Sequence, residues 1–388
     1  MILLSLASKQ IWPQVLSAAH LRPDQVFLLH SQDKAESQSP AQRLKRFFDH
    51  TGLVAAGKTR LTCLPHDDFN GVERSLDELV ASQQLDLGRS VLNFTGGNKL
   101  MATAAFRWAT RRGLKSFYLE RALQLTWFEP RDGTLLTRTD KLDAHLTDDL
   151  DPVALLRCQL DASEIERPGQ AILLNNAGQQ LNPQDFFRRI QSGNDARPWL
   201  QITGNADPEV KDGDALEFAT AAVLLKLGVK RVQRSLRLKV KSAPHVRTRL
   251  PHAEIDLLFT WGGRLWLVDC KDRIPTEDLV ANLRRHLPRP LPSEAEQILT
   301  RISDELAIGQ TKVMKEDLVA VREAGGLLGN VVCIRKARLP EEVVQFARHH
   351  GIPIIRKEHL VSGLRNLLFP DQSPGCETLD ELQKHFRP

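Results

Sequence analysis

Two aspartates and a lysine occupy positions where a tight hairpin would bring them together. Two runs rich in leucine, β-branched and aromatic residues flank Gly262-Gly263. A Gly-Gly pair between two such runs predicts a two-residue hairpin turn, because both central residues of that turn need a positive φ. The register counted outward from this turn places Asp256 across from Asp269, and Glu254 across from Lys271.

This register predicts a metal site. Side chains alternate between the two faces of a strand, so these four polar residues share one face of the hairpin. Opposed Cβ atoms lie about 5 Å apart, and two carboxylates at that spacing repel each other unless a cation lies between them. Oxygen ligands favour a hard divalent ion, Mg²⁺ or Mn²⁺. The alternative is a solvated edge hairpin, in which Glu254 and Lys271 form an ordinary surface ion pair. The apolar run from Leu265 to Val268 favours a central strand and therefore the site.

A second candidate site follows an apolar strand predicted at residues 90–94. The sequence continues with the turn Thr95-Gly96-Gly97-Asn98-Lys99, and a helix begins near Leu100. A glycine-rich turn between a strand and a helix N-terminus presents backbone N–H groups to phosphate. The turn matches neither a Walker loop nor GxGxxG and identifies no ATP or NAD site. A tight turn with no ligand is the alternative.

The first half of the chain alternates predicted strands and helices. Strands are predicted at residues 1–7, 25–29, 60–64 and 90–94, with a helix after each. This alternation predicts a parallel, doubly wound sheet, and ligands bind such sheets at the carboxyl ends of the strands. Ser8-Lys9-Gln10, Ser31 and the turn at residues 95–99 all follow strands at such ends.

The hairpin resembles the core of the PD-(D/E)XK, or restriction-endonuclease-like, nucleases. The resemblance lies in Asp256 followed, after twelve residues, by Asp269-Cys270-Lys271. It implies that Asp256 and Asp269 bind the metal and that Lys271 is the catalytic amine. It also implies an acid on a preceding helix, for which the sequence offers Glu217 as a ligand, either directly or through water. Glu254 either tunes Lys271 or is structural.

The first half resembles the CARF (CRISPR-associated Rossmann-fold) sensor domains, in the segments Leu6–Gln10 and Asn93–Ala102. A CARF domain followed by a PD-(D/E)XK domain is similar to the cyclic-oligoadenylate-activated nucleases of type III CRISPR systems. The resemblance implies a homodimer that shares one cyclic tetra-adenylate as allosteric activator. The residues expected to bind this activator are Ser8, Lys9, Gln10, Ser31, Thr95, Gly96, Gly97, Asn98 and Lys99.

We therefore expect an α/β protein with a Rossmann-like sensor domain at residues 1–147 and a restriction-endonuclease-like domain at residues 204–388. Residues 148–203 are expected to form a connecting helical segment. The expected activity is non-specific cleavage of single-stranded DNA and RNA, with nicking of duplex DNA as a second option. The alternative is a nucleic-acid-binding regulator that responds to a cyclic oligonucleotide through an inactive nuclease-like domain.

The charge pattern favours a nucleic-acid partner. The chain has a net charge of +5, and nine basic residues but no acidic ones lie between Lys226 and Arg249. Leucine and valine alternate with Arg237, Lys239 and Lys241, which predicts a strand with one wholly basic face for a phosphate backbone. A solvated strand face is the alternative. Trp261, at the predicted hairpin tip, is the aromatic residue expected to stack on a base.

Bulk composition excludes several other classes. Hydrophobic residues make up 41% of the chain and charged residues 26%, as in globular proteins. No apolar run approaches the roughly 20 residues of a membrane helix, so we expect no membrane partner. The five cysteines are scattered and lack CxxC spacing, which favours a reducing, cytoplasmic location over a disulfide framework or a zinc site.

Overall fold

The chain forms two compact α/β units. The computed structural model describes residues 1–160, 164–167, 169–203, 214–239, 252–271, 283–287, 290, 292–326, 329–336 and 339–370. The first unit comprises Met1–Ala162 together with Thr260–Leu265 and Gly326–Leu328. The second comprises Ser163–Phe259, Trp266–Gly325 and Gly329–Pro388.

Strands and helices alternate through most of the first unit. Its strands are β1 (Ile2–Leu6), β2 (Gln25–His30), β3 (Thr59–Cys63), β4 (Ser90–Asn93), β5 (Ser116–Leu119), β6 (Gln124–Arg131) and β7 (Thr134–Lys141). Its helices are α1 (Trp12–Leu21), α2 (Ser39–Thr51), α3 (Phe69–Gln83), α4 (Lys99–Arg111) and α5 (Pro152–Gln159). The strand order β3-β2-β1-β4-β5-β6-β7 is Rossmann-like, with parallel pairing from β3 to β5.

The parallel part of this sheet is buried, as its apolar sequence requires. Leu4, Leu28 and Leu92, on the three central strands, are fully buried. Helices on the faces of a parallel sheet cover both sides of its strands, so these strands read as continuous apolar runs. The predicted doubly wound sheet is confirmed. The antiparallel hairpin β6–β7, which extends the sheet, was not expected from the sequence.

The second unit contains a mixed sheet of order β10-β9-β11-β12-β13-β14-β15, with β8 paired to β11. Its strands are β8 (Ile165–Arg167), β9 (Gln170–Leu174), β10 (Leu200–Thr203), β11 (Val232–Lys239), β12 (His252–Trp261), β13 (Arg264–Lys271), β14 (Gly329–Arg335) and β15 (Ile354–Arg356). Its helices are α6 (Asn176–Gln180), α7 (Pro183–Gln191), α8 (Asp214–Lys226), α9 (Ser293–Gly325), α10 (Glu341–His349) and α11 (Leu360–Leu368).

Residues 148–203, expected to form one connecting helical segment, are divided between the two units. Helix α5 belongs to the first unit, and the stretch from β8 to β10 belongs to the second. β9 and β10 lie in the second sheet, and α6 and α7 connect them. Strands of three to five residues are too short to show a clear period of two.

None of the helices in the described part of the chain has both the length and the apolar character that a membrane crossing requires.

Candidate functional site

The hairpin formed by β12 and β13 carries the candidate catalytic residues of the second unit. Its turn is Gly262-Gly263, with φ values of 61° and 71°, as the Gly-Gly pair predicts. A two-residue turn fixes the register of the strands that it joins. β13 lies between β12 and β14, and Asp256 and Asp269 are 4% and 5% exposed. The solvated edge hairpin is therefore wrong, because both aspartates are buried on central strands.

Lys271 contacts both aspartates. Its Nζ lies 3.0 Å from Oδ1 of Asp269 and 3.4 Å from Oδ2 of Asp256. The backbone N–H of Cys270 also donates to Oδ2 of Asp256 at 2.5 Å. Burial alone would lower the pKa of Lys271, but the two carboxylates outweigh it and raise that pKa above its ordinary value. Lys271 is therefore an ammonium shared by two buried carboxylates.

The two carboxylates differ in their environments. Burial raises the pKa of Asp256 well above its ordinary value, Lys271 opposes this, and the Asp269 and Glu217 charges add to it. Burial also acts to raise the pKa of Asp269, but the guanidinium of Arg335 and the ammonium of Lys271 hold it below its ordinary value. A cation that binds this pair must therefore compete with a proton on Asp256.

Glu217 is held by an arginine. Nε of Arg234 donates to Oε2 of Glu217 at 2.7 Å, and Nη2 of Arg234 lies 2.6 Å from Oδ2 of Asp214. Both acids lie on α8, and Arg234 lies on β11. Burial raises the pKa of Glu217 to about 7 although the ion pair with Arg234 opposes this shift.

A two-carboxylate metal site fits better than a three-carboxylate one. Among the residues that the structure describes, no three His, Cys, Asp or Glu side chains are grouped closely enough to hold a metal ion. Asp256 and Asp269 nevertheless already share one cation, the Lys271 ammonium, so their oxygens suit a hard divalent ion. Mg²⁺ is commonly bound by one or two carboxylates and keeps several waters.

Glu254 precedes Asp256 by two residues on β12. It is exposed, and it is paired in register with Arg237 of the neighbouring strand β11. Its position beside a surface arginine is typical of an ordinary cross-strand pair on a strand end. Its predicted role in tuning Lys271 stays a prediction.

The basic stripe is only partly directed to solvent. Arg237 and Lys239 are exposed and alternate with buried Leu236 and Leu238, as the sequence predicts. Arg234 instead turns inward to Glu217, and Lys226 donates to three backbone carbonyls, those of Gly178, Gln179 and Leu181. Lys230 and Arg231 are also exposed, whereas residues 240–251, which include Lys241, Arg247 and Arg249, lie outside the described residues.

Trp261 is not a free stacking platform. Its side chain is only 5% exposed, and its ring meets that of His145 edge-on, with the centroids 5.0 Å apart. The adjacent Gly262 N–H donates to Oδ1 of Asp148 at 2.9 Å. The expected stacking of Trp261 on a base is therefore wrong, because the hairpin tip is packed inside the first unit.

In the first unit, the predicted ligand turns lie side by side. Ser8-Lys9-Gln10 follows β1, and the turn at residues 95–99 follows β4, the parallel neighbour of β1. The chain order reverses between these two strands, and the crevice at such a point is where doubly wound sheets bind ligands. A Cβ at Gly96 would collide with the backbone oxygen of Leu6, so only glycine permits the close approach of this turn to the end of β1.

Several predicted ligand residues have structural partners. Oδ1 of Asn98 caps α4 by accepting from the Met101 N–H at 2.8 Å, and its Nδ2 donates to the His66 carbonyl at 2.8 Å. Oγ1 of Thr95 accepts from the Leu119 N–H at 2.8 Å. These bonds fix the turn and leave the side chain of Lys99 exposed.

The remaining predicted ligand residues lie on the same side of the sheet. Ser31 is buried after β2, and its hydroxyl accepts from the Asp33 N–H at 3.2 Å. Nζ of Lys9 lies 3.5 Å from Oε1 of the exposed Glu36. Lys9 and Lys99 therefore supply exposed positive charge at the strand ends, where an anionic ligand would bind.

Sequence reasoning missed the roles of two buried arginines, one of which, Arg234, it had placed in the basic stripe. Arg335 on β14 donates to the Asp269 carboxylate, and Arg234 holds Glu217. Both arginines come from strands that the motif does not include, so the sequence carried no spacing that could reveal them. The one signal in the sequence was that an arginine, Arg335, ends the otherwise apolar run of β14.

Solved structures share the fold over nearly the whole chain. Can2 from Sulfobacillus thermosulfidooxidans, in complex with cyclic tetra-adenylate, is 13% identical with a TM-score of 0.55, over 95% of this chain and 96% of its own. Protein VC1899 from Vibrio cholerae is 11% identical with a TM-score of 0.54, over 95% of this chain and 97% of its own. These two likenesses establish a shared two-unit α/β fold.

A third structure is more distant. A type III CRISPR defence DNA nuclease activated by cyclic oligoadenylate is 18% identical with a TM-score of 0.49, over 87% of this chain and 45% of its own. No protein-family model matches the sequence, and no curated protein is similar to it in sequence.

Proposed function

We propose that the protein is a metal-dependent nuclease activated by a cyclic oligoadenylate and acting in type III CRISPR antiviral defence. The observation that carries the proposal is the buried pair Asp256 and Asp269 on neighbouring strands, with Lys271 in contact with both. The fold shared with Can2, whose structure contains cyclic tetra-adenylate, supports that ring as the activator.

In the proposed reaction, Asp256 and Asp269 hold a divalent cation. A bound Mg²⁺ or Mn²⁺ supplies an acidified water and Lewis-acid assistance to the phosphoryl oxygen. Lys271 remains an ammonium, because two carboxylates face it, and its charge stabilises the negative charge that develops on the phosphate. Arg237 and Lys239 hold the nucleic-acid backbone on the exposed face of β11. Such contacts are sequence-independent.

The first unit is proposed as the sensor. The turns at residues 8–10 and 95–99 present backbone N–H groups and the N-terminus of α4, and Lys9 and Lys99 add positive charge. These features suit the phosphates of a cyclic oligonucleotide. The proposal includes a homodimer in which two sensor units share one ring, and mass photometry with and without the ring measures this state.

A cleavage assay tests the proposal. Labelled single-stranded DNA, RNA and supercoiled plasmid are incubated with Mn²⁺ or Mg²⁺, with and without cyclic tetra-adenylate. We expect cleavage that requires both metal and activator and that falls at least about 100-fold in Lys271→Ala. The control is Lys312→Ala, which removes an exposed lysine of α9 in the same unit. Cleavage that does not depend on the activator would support the nuclease activity but contradict the sensor role of the first unit.

A second function has one observation in its favour. Glu217 is held by Arg234, and the described residues contain no group of three metal-ligating side chains. A ligand-responsive nucleic-acid-binding regulator would need no such group. Binding of cyclic tetra-adenylate and DNA without cleavage of any substrate, under either metal, would establish this second function in place of the first.

A further inference from the structure

Arg335 is a buried arginine that contacts the candidate active site from outside the sequence motif. It ends β14, the strand beside β13, and its side chain is 3% exposed. Its Nη2 donates to Oδ2 of Asp269. Its Nη1 donates to the backbone oxygens of Asp269 at 2.9 Å and Ile334 at 3.1 Å. One guanidinium therefore contacts both the side chain and the main chain of Asp269.

These contacts give the two carboxylate oxygens of Asp269 different partners. Oδ2 is taken by Arg335, and Oδ1 lies 3.0 Å from the ammonium of Lys271, on the side shared with Asp256. One nitrogen of the rigid guanidinium bonds the Asp269 carboxylate and another bonds the Asp269 main chain, so Arg335 limits the rotation of this carboxylate. Oδ1 is thereby directed to the side shared with Asp256 and Lys271.

We propose that Arg335 is a positioning residue that orients the Asp269 carboxylate so that Oδ1 would face the divalent metal. This inference rests on the proposed metal-dependent function and names a residue that acts through a metal ligand. The guanidinium of Arg335 also stabilises the charge of the buried Asp269 carboxylate.

A purely structural ion pair is the competing explanation. Replacement of a buried ion pair by apolar side chains is often neutral for stability, so stability alone cannot distinguish the two explanations. Loss of a residue that orients a metal ligand typically weakens metal affinity or activity by about 10–100-fold. Metal affinity measured without turnover is therefore the decisive quantity.

The test is Mn²⁺ binding by isothermal titration calorimetry on the full chain, without nucleic acid. The variants are Arg335→Met, Arg335→Lys and the control Arg356→Met. Arg356 is the in-register neighbour of Arg335 on β15, with its side chain half exposed. We expect Arg335→Met to bind Mn²⁺ about 10–100-fold more weakly, and Arg356→Met to bind like the wild type. The Mn²⁺ affinity of Arg335→Lys should lie between these two, because an ammonium keeps the charge but lacks the planar set of N–H donors of a guanidinium.

Each outcome decides between the explanations. A folded Arg335→Met with wild-type Mn²⁺ affinity would overturn the positioning role. Wild-type affinity in Arg335→Lys would also overturn it, since charge alone would then suffice. If thermal unfolding shows that Arg335→Met does not fold, Arg335→Lys gives the decision. A wild-type chain that binds no Mn²⁺ would overturn the proposed function itself, and this inference with it.

Discussion

At the scale of single residues, the second unit places acids and arginines in buried pairs. Glu217 pairs with Arg234, and Asp269 pairs with Arg335. A buried carboxylate is costly unless a cation compensates it, so each arginine permits an acid at a position where burial opposes charge. Removal of either arginine alone would therefore leave an uncompensated acid in a buried position.

Glu217 should make the stability of the protein depend on pH. Burial raises its pKa to about 7 from the ordinary value of 4.5, so the folded state binds more protons than the unfolded state between these values. Its stabilising contribution is complete below pH 4.5 and is lost as the pH rises through about 7. Glu217→Gln cannot titrate. The free energy of unfolding of this variant relative to wild type should therefore increase from pH 5 to pH 8, by up to about 3 kcal/mol.

Urea denaturation in metal-free buffer with a chelator measures this difference at each pH. A difference between variant and wild type that stays constant from pH 5 to pH 8 would contradict the raised pKa of Glu217. Because the same substitution replaces one carboxylate oxygen beside Arg234 by an amide nitrogen, it also changes stability by a pH-independent amount. Only the slope with pH tests the prediction.

At the scale of elements, the hairpin and the alternating strand through Arg237 were predictable, but the pairing of the hairpin with its neighbouring strands was not. The Gly-Gly turn and the alternation around Asp256 and Asp269 are local signals, and both carry through to the structure. The strands that surround the hairpin depend on pairing between distant residues. Arg335 lies 66 residues from Asp269, a separation at which no motif connects them. The sequence therefore predicted that Asp256 and Asp269 lie together, but neither the arginines nor the burial of Trp261.

The turn of the hairpin should tolerate alanine at one glycine better than at the other. Both glycines have positive φ, which costs an alanine about 1–2 kcal/mol. A Cβ at Gly262 would meet nothing within 4 Å, whereas one at Gly263 would lie 3.1 Å from Cδ1 of Leu123 and 3.3 Å from the Ala144 oxygen. Gly263→Ala should therefore lower the free energy of unfolding more than Gly262→Ala. Equal losses in urea denaturation would show that backbone strain alone sets the cost.

The exposed face of β11 should set the salt dependence of nucleic-acid binding. Each phosphate contact that is lost reduces the slope of log affinity against log salt by about 0.7 for single strands. Arg237→Ala combined with Lys239→Ala should therefore reduce that slope by about 1.4 and weaken all sequences alike. Fluorescence anisotropy with single-stranded DNA, in calcium in place of the catalytic metal, measures it. The control Lys312→Ala with Arg348→Ala removes two exposed charges elsewhere, and an equal change in that control would contradict the assignment.

At the scale of the whole molecule, the two candidate sites lie in different units. Substitutions can therefore change activator binding and catalysis separately. An activator changes activity only if it binds the active arrangement more tightly than the resting one. Substitutions at the sensor turns should then alter how much activator is needed, whereas substitutions at the hairpin should alter the rate that a saturated enzyme reaches.

Substitutions of Lys99 and Lys271 test this separation directly. Lys99→Ala removes an exposed charge at the turn proposed to bind the activator, so we expect about tenfold more cyclic tetra-adenylate for half-maximal cleavage and an unchanged maximal rate. Lys271→Ala should abolish the maximal rate while leaving activator affinity, measured by calorimetry, unchanged. Titration of activator against initial cleavage rate provides both values for Lys99→Ala. A fall in the maximal rate of Lys99→Ala, with no change in the activator concentration required, would show that this lysine serves catalysis or folding instead of activator binding.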